Sequence, residues 1–186
     1  SQAGEGGNIG ITAGSSIGTG GSIRVQTGFS EAISSGSLIM SSSDSTGSDG
    51  SGLIRVATGN ANVNSGSIEI RTGEAISGSA GNIVLSAGVS QLSQGGNIYM
   101  AAGAATELTG GSMYIKSGSS DQTSSGKVSL KTANSGNAGS SGAIYFSTGA
   151  SSKGSTGGIS LRTGDLMGDE ETVAGSIALQ VGQSAG

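Results

Sequence analysis

The chain has 186 residues, 38 of them Gly, with no Pro, Cys, His or Trp and a formal net charge of −4. Without Cys and His there is no disulfide framework, no zinc site of the Cys/His kind and no imidazole to serve as a catalytic base. The small charge, with no long block of one sign, argues against a nucleic-acid tail or a polybasic anchor, and no apolar run approaches the roughly eighteen residues of a membrane span.

The chain opens at Ser1 without Met or a signal peptide, which reads as a mature or excised piece of something longer. Residues 1–6 are a leader or the end of a preceding coil, and 7–186 form a repeat domain. A Gly/Ser-rich text ordinarily signals a flexible linker. Here it is ordered by a phrase, Gly-x-apolar-x-apolar-x-small-Gly, that begins at Gly7, Gly21, Gly36, Gly52, Gly66, Gly81, Gly96, Gly111, Gly126, Gly142, Gly157 and Gly175. The spacings are 14, 15, 16, 14, 15, 15, 15, 15, 16, 15 and 18 residues, and the third and fifth positions are apolar in all twelve copies. Random low complexity does not do this.

Alternation with period two places the third and fifth side chains on one face of an extended strand and the fourth and sixth on the other. The seventh position is small in every copy but the last, and the eighth is Gly except at Ser43 and Ala133. The bracketing glycines imply corners where a side chain would clash or φ must be positive. Antiparallel hairpins would not require one directional phrase in one phase, whereas stacked parallel coils would. The expected fold is therefore all-β, a single parallel β-solenoid of twelve coils of about fifteen residues, stabilised by neighbouring coils as in other repeat proteins. The returns between strands nearly always carry Ser or Ala at position ten, suited to a thin section. The early returns add a larger apolar residue (Ile17, Ile33, Val63, Ile76, Leu92 or Leu108) that would fill the back of the coil.

Six of the eight Lys and Arg occupy outward strand positions, namely Arg24, Arg55, Arg71, Lys116, Lys131 and Arg162, whereas only Glu69 of the twelve acids does so. Tyr99, Tyr114 and Tyr145 share the outward fourth position. A regular solenoid would thus have a basic, partly aromatic strand face and acidic turns. Lys and Arg on a strand discourage edge pairing and aid solubility; the functional counterpart is lateral packing, or adhesion to an anionic polysaccharide or mineral surface.

Other chemistry-like strings carry little. Gly14-Ser15-Ser16-Ile17-Gly18 matches a nucleophile elbow without a His, and Ser124-Ser125-Gly126-Lys127 matches Ser-x-x-Lys without context. No enzyme activity and no cofactor is expected. Asp44 with Asp49, and Asp165 with Asp169, Glu170 and Glu171, are weak Ca²⁺ candidates; neither group follows a calcium-binding repeat, so a solvated loop is the favoured reading.

The Gly-x-Ile-x-Ile-x-Thr-Gly phrase of Gly66 to Gly73, and its variant Gly21 to Gly28 with Val at the fifth position, resembles repeat regions of secreted Gly/Ser/Thr-rich surface proteins of microbes and unicellular algae. The resemblance implies an extracellular structural or adhesive role and transfers no site residues. The expected function is a structural rod or filament block of a fibre, surface layer or adhesin stalk, partnered by copies of itself or by neighbouring solenoid segments. An ice-binding solenoid is the alternative, though its outward fourth positions, among them Arg24, Glu69 and Tyr99, make a rough face. A trimeric fibre shaft is a third reading.

Overall fold

The computed structural model describes residues 4, 6–168 and 173–183. It divides into two compact units, Ser1–Gly95 with repeats 1 to 6 and Gly96–Gly186 with repeats 7 to 12. Among the described residues there is no helix and no β-strand. The expected β-solenoid is therefore not formed.

The reason lies in the returns. In the N-terminal unit the Gly21 N–H donates to the Gly14 carbonyl at 2.8 Å and the Gly36 N–H to the Gly28 carbonyl at 3.2 Å; in the C-terminal unit Gly111 donates to Gly103 and Gly126 to Gly118, both at 2.9 Å. In each case the acceptor is the eighth residue of one phrase and the donor the first residue of the next. A solenoid return must carry the chain back to the start of an eight-residue strand, about 23 Å away at strand rise. Loops 15–20, 29–35, 104–110 and 119–125 instead close on their own ends, so at these four junctions a phrase starts where the previous one stopped. The two phrases at such a junction cannot lie as consecutive parallel rungs, and no ladder is present among the described residues.

The loops are shaped by position ten. Ser16 Oγ accepts from Gly18 N–H at 3.1 Å, Ser30 Oγ from Ile33 N–H at 3.3 Å, Ser90 Oγ from Ser93 N–H at 3.0 Å, Ser120 Oγ from Thr123 N–H at 3.0 Å and Ser151 Oγ from Gly154 N–H at 3.0 Å. The sharp bend follows directly, at 17–19, 31–33, 91–93, 121–123 and 152–154. A serine hydroxyl that captures an N–H two or three residues on offers the backbone a turn in place of a ladder. Position ten is thus a turn former, not the lining of a thin section. Ser30→Ala and Ser120→Ala are each expected to remove about 0.5–1 kcal/mol of local stability, seen as about two- to fivefold faster amide exchange at Ile33 and Thr123.

The bracketing glycines differ in purpose. Among the described residues Gly139 alone has positive φ, 132°, so the corners do not call for left-handed backbone. A Cβ on Gly21 would lie 3.2 Å from Ala13 Cβ and 3.2 Å from the Gly14 nitrogen; on Gly36, 3.3 Å from Thr27 Cβ; on Gly66, 3.3 Å from Thr58 Cγ2. The first Gly of a phrase is the surface against which the small seventh side chain of the preceding phrase packs. A Cβ on the eighth Gly, at Gly14, Gly28, Gly103 or Gly118, would meet nothing within 4 Å.

No hydrophobic side chain is buried among the described residues. The loop residues expected to fill the back, Ile17, Ile33, Val63, Ile76, Leu92 and Leu108, are exposed, because loops that close on their own ends stand clear of the apolar phrase positions. The chain exposes 19440 Å², against about 7,900 Å² for a compact protein of its mass and about 25,500 Å² for the unfolded chain. Order is local, built from bends and junctions.

Candidate assembly surface

Period-two alternation persists without a sheet. Arg24 Nε donates to Gln26 Oε1 at 2.9 Å, Asn97 Nδ2 to Tyr99 Oη at 3.1 Å, and Arg71 Nε lies 3.3 Å from Glu69 Oε1. Each pair is two residues apart, so even-numbered positions of a phrase share one side. The ion pair is exposed at both ends. Glu69→Gln is expected to shift stability by less than about 0.5 kcal/mol, with no change in its salt dependence, checked by denaturant titration at low and high salt.

The residues of the expected outward face lie in two groups: Arg24, Arg55 and Arg71 in the N-terminal unit, and Tyr99, Tyr114, Lys116, Lys131, Tyr145 and Arg162 in the C-terminal unit. All are exposed. With no sheet among the described residues, phrases are not stacked into rungs, and Tyr99 and Tyr114 are not ladder neighbours. The continuous basic and aromatic face drawn from a solenoid is replaced by side chains displayed phrase by phrase.

The other side is more regular. In the N-terminal unit the third-position residues Ile23, Leu38, Ile54, Ile68 and Ile83 are 52% to 57% exposed, while Ile9, which has no preceding phrase, is 93% exposed. In the C-terminal unit Met113, Val128, Ile144, Ile159 and Ile177 are 48% to 58% exposed. The junction behind each phrase thus covers about half of its third side chain. The fifth positions are barer, 63% to 74% exposed from Ile11 to Leu161 and 90% at Leu179. Each phrase thus bares one apolar fifth-position side chain that the chain itself does not cover.

The apolar character of these positions was legible in the sequence, but their cover was wrongly assigned to the returns. Among the described residues there is no concave pocket, and no three acidic side chains gather as metal ligands. Asp44 and Asp49 lie in loop 44–51, where Ser45 Oγ donates to the Asp49 carbonyl at 2.9 Å. Asp165 is exposed in the last loop; Asp169, Glu170 and Glu171 lie outside the described residues. No described helix is long and apolar enough to cross a membrane.

No known family, curated protein or solved structure matches the chain. Its surface is therefore read from its own chemistry. What that surface offers is repetition: one apolar side chain per phrase on the odd side, charged and aromatic groups on the even side, and Ser/Gly loops between.

Proposed function

We propose that the chain is a structural segment of an extracellular fibre, surface layer or adhesin stalk, non-catalytic, assembled between chains rather than by stacking of its own coils. The observation that carries this reading is the exposed area, about two and a half times that of a compact protein of the same mass, with an aliphatic or aromatic residue bared at the fifth position of every phrase. Monomeric soluble proteins rarely leave so many large apolar side chains bare; extended apolar exposure marks an interaction site. The even side, with Arg24, Arg55, Arg71, Lys116, Lys131 and Arg162, stays in solvent and is suited to anionic polysaccharide or mineral contact. Likeness in phrase and composition to secreted Gly/Ser/Thr-rich surface repeats points the same way.

Electron microscopy of the purified chain at micromolar concentration, with light scattering on the same sample, tests the reading. Uniform filaments or elongated particles are expected, without thermal hysteresis. A disordered species that stays monomeric at every concentration would overturn it, and clear thermal hysteresis would favour an ice-binding role instead.

A further inference from the structure

The loops differ in how they treat the backbone nitrogen that follows an acidic residue. We propose that Asp49-Gly50, in loop 44–51, is a site of spontaneous isoaspartate formation. The Gly50 nitrogen closes on the Asp49 side chain to give a cyclic imide, which water reopens into a backbone that runs through Cβ. In the first step the nitrogen loses its proton and bonds to the carboxyl carbon, the carboxyl C–OH bond breaks, and the hydroxyl leaves with a proton as water. In the second, water adds at the former main-chain carbonyl and breaks its bond to nitrogen. The chain then continues through the side-chain carbonyl, and the α-carboxylate is freed. The reaction needs water alone, with no partner chain, metal or oxidant.

Four observations carry the site. First, of eight Asn and five Asp, Asp49 alone is followed by Gly, whose missing side chain leaves the nitrogen freest to swing onto the carboxyl carbon. Second, that nitrogen is not engaged: among the described residues the Gly50 N–H donates to no backbone or side-chain acceptor. At Asp121 the corresponding nitrogen is held, the Gln122 N–H donating to Ser120 Oγ at 3.3 Å. Third, Ser45 Oγ donates to the Asp49 carbonyl oxygen at 2.9 Å. When the Gly50 nitrogen gives up its proton, the negative charge is shared with this oxygen, and a donor already aimed at the place where charge develops stabilises it. Fourth, Asp49 and Gly50 are both exposed, and a Cβ on Gly50 would meet nothing within 4 Å, so the ring has room to form and water has access to open it.

The full chain, kept warm at neutral pH for weeks, would be sampled at intervals and digested, with isoaspartate counted by enzymatic methylation and located by fragmentation mass spectrometry. Isoaspartate is expected to rise steadily at position 49, preceded by a peptide lighter by one water, and to form several-fold more slowly at Asp121 and Asp165. Asp49→Glu, whose longer side chain closes a larger and less readily formed ring, should lose the signal. Gly50→Val should slow it several-fold. Ser45→Ala should slow it by about two- to tenfold, the worth of one exposed hydrogen bond, and that difference should vanish when both proteins are aged in denaturant. Isoaspartate no faster at Asp49 than at Asp121 would overturn the site. A rate unchanged in Ser45→Ala, or a Ser45→Ala effect that persists in denaturant, would overturn the part given to the Ser45 hydroxyl in the folded loop.

Discussion

Diluted stepwise from micromolar concentration, the protein is expected to lose ordered structure in step with loss of mass, the far-ultraviolet signal and the sedimentation coefficient falling together. A chain whose described residues bury no hydrophobic side chain has no core to hold it folded alone. Its loops hold their bends through single hydrogen bonds such as Ser120 Oγ to Thr123 N–H, each worth about 1 kcal/mol net. Such bonds bias local conformation without making a cooperative unit. If the fifth-position side chains are covered by other chains, stability is inseparable from chain concentration, as for obligate oligomers. The thermal midpoint should then climb steadily with concentration. A midpoint constant over a hundredfold range, with order retained in the monomer, would contradict the assembly reading.

The second large effect is expected at a phrase junction. Gly111→Val places a branched side chain where even a Cβ would sit 3.3 Å from the Gly103 nitrogen and 3.4 Å from its carbonyl oxygen. These are backbone atoms, which cannot rotate away, and the same oxygen accepts the Gly111 N–H at 2.9 Å. Opening the junction to admit the side chain loses that bond and uncovers Met113. The combined cost is about 2–4 kcal/mol, as overpacking plus one hydrogen bond. Gly103→Ala is the contrasting variant: nothing lies within 4 Å of its added Cβ and its φ is not positive. It is expected to be neutral or to stabilise by up to about 1 kcal/mol by restricting the unfolded chain. Denaturant midpoints of the assembled proteins would separate the two. Equal effects would show that the first Gly of a phrase is not set by close approach.

The sequence already contained this distinction. The first position is Gly in all twelve phrases, whereas the eighth tolerates Ser43 and Ala133, which matches the crowding at Gly111 and the open space at Gly103. The alternation was also legible, since side chains two apart, such as Glu69 and Arg71, do share a side. What could not be read was the path of the chain between phrases. Ser or Ala at position ten is equally compatible with a thin coil and with a tight bend, and only the bond from Ile33 N–H to Ser30 Oγ distinguishes them. The apolar character of Ile17 or Leu92 was equally plain, but composition does not say on which side of a loop a residue stands. The solenoid expectation failed at this point, by assigning to the chain's own returns a cover that they turn away from. The basic and aromatic residues stand at even positions of their phrases, but a face across phrases requires rungs, and rungs require returns that reach back instead of closing on their own ends.

The closed loop has a bearing on how such a protein changes over generations. Loop 15–20 and loop 29–35 differ by one residue yet close on the same pair of positions. Added or deleted residues are therefore taken up at the loop and leave the phase of the next phrase untouched. Closing a somewhat longer loop costs little entropy, because the cost grows only with the logarithm of its length. Duplication of one phrase with its loop would lengthen the chain by a whole module, and a foreign peptide could be carried at a loop tip with the phrases on either side undisturbed.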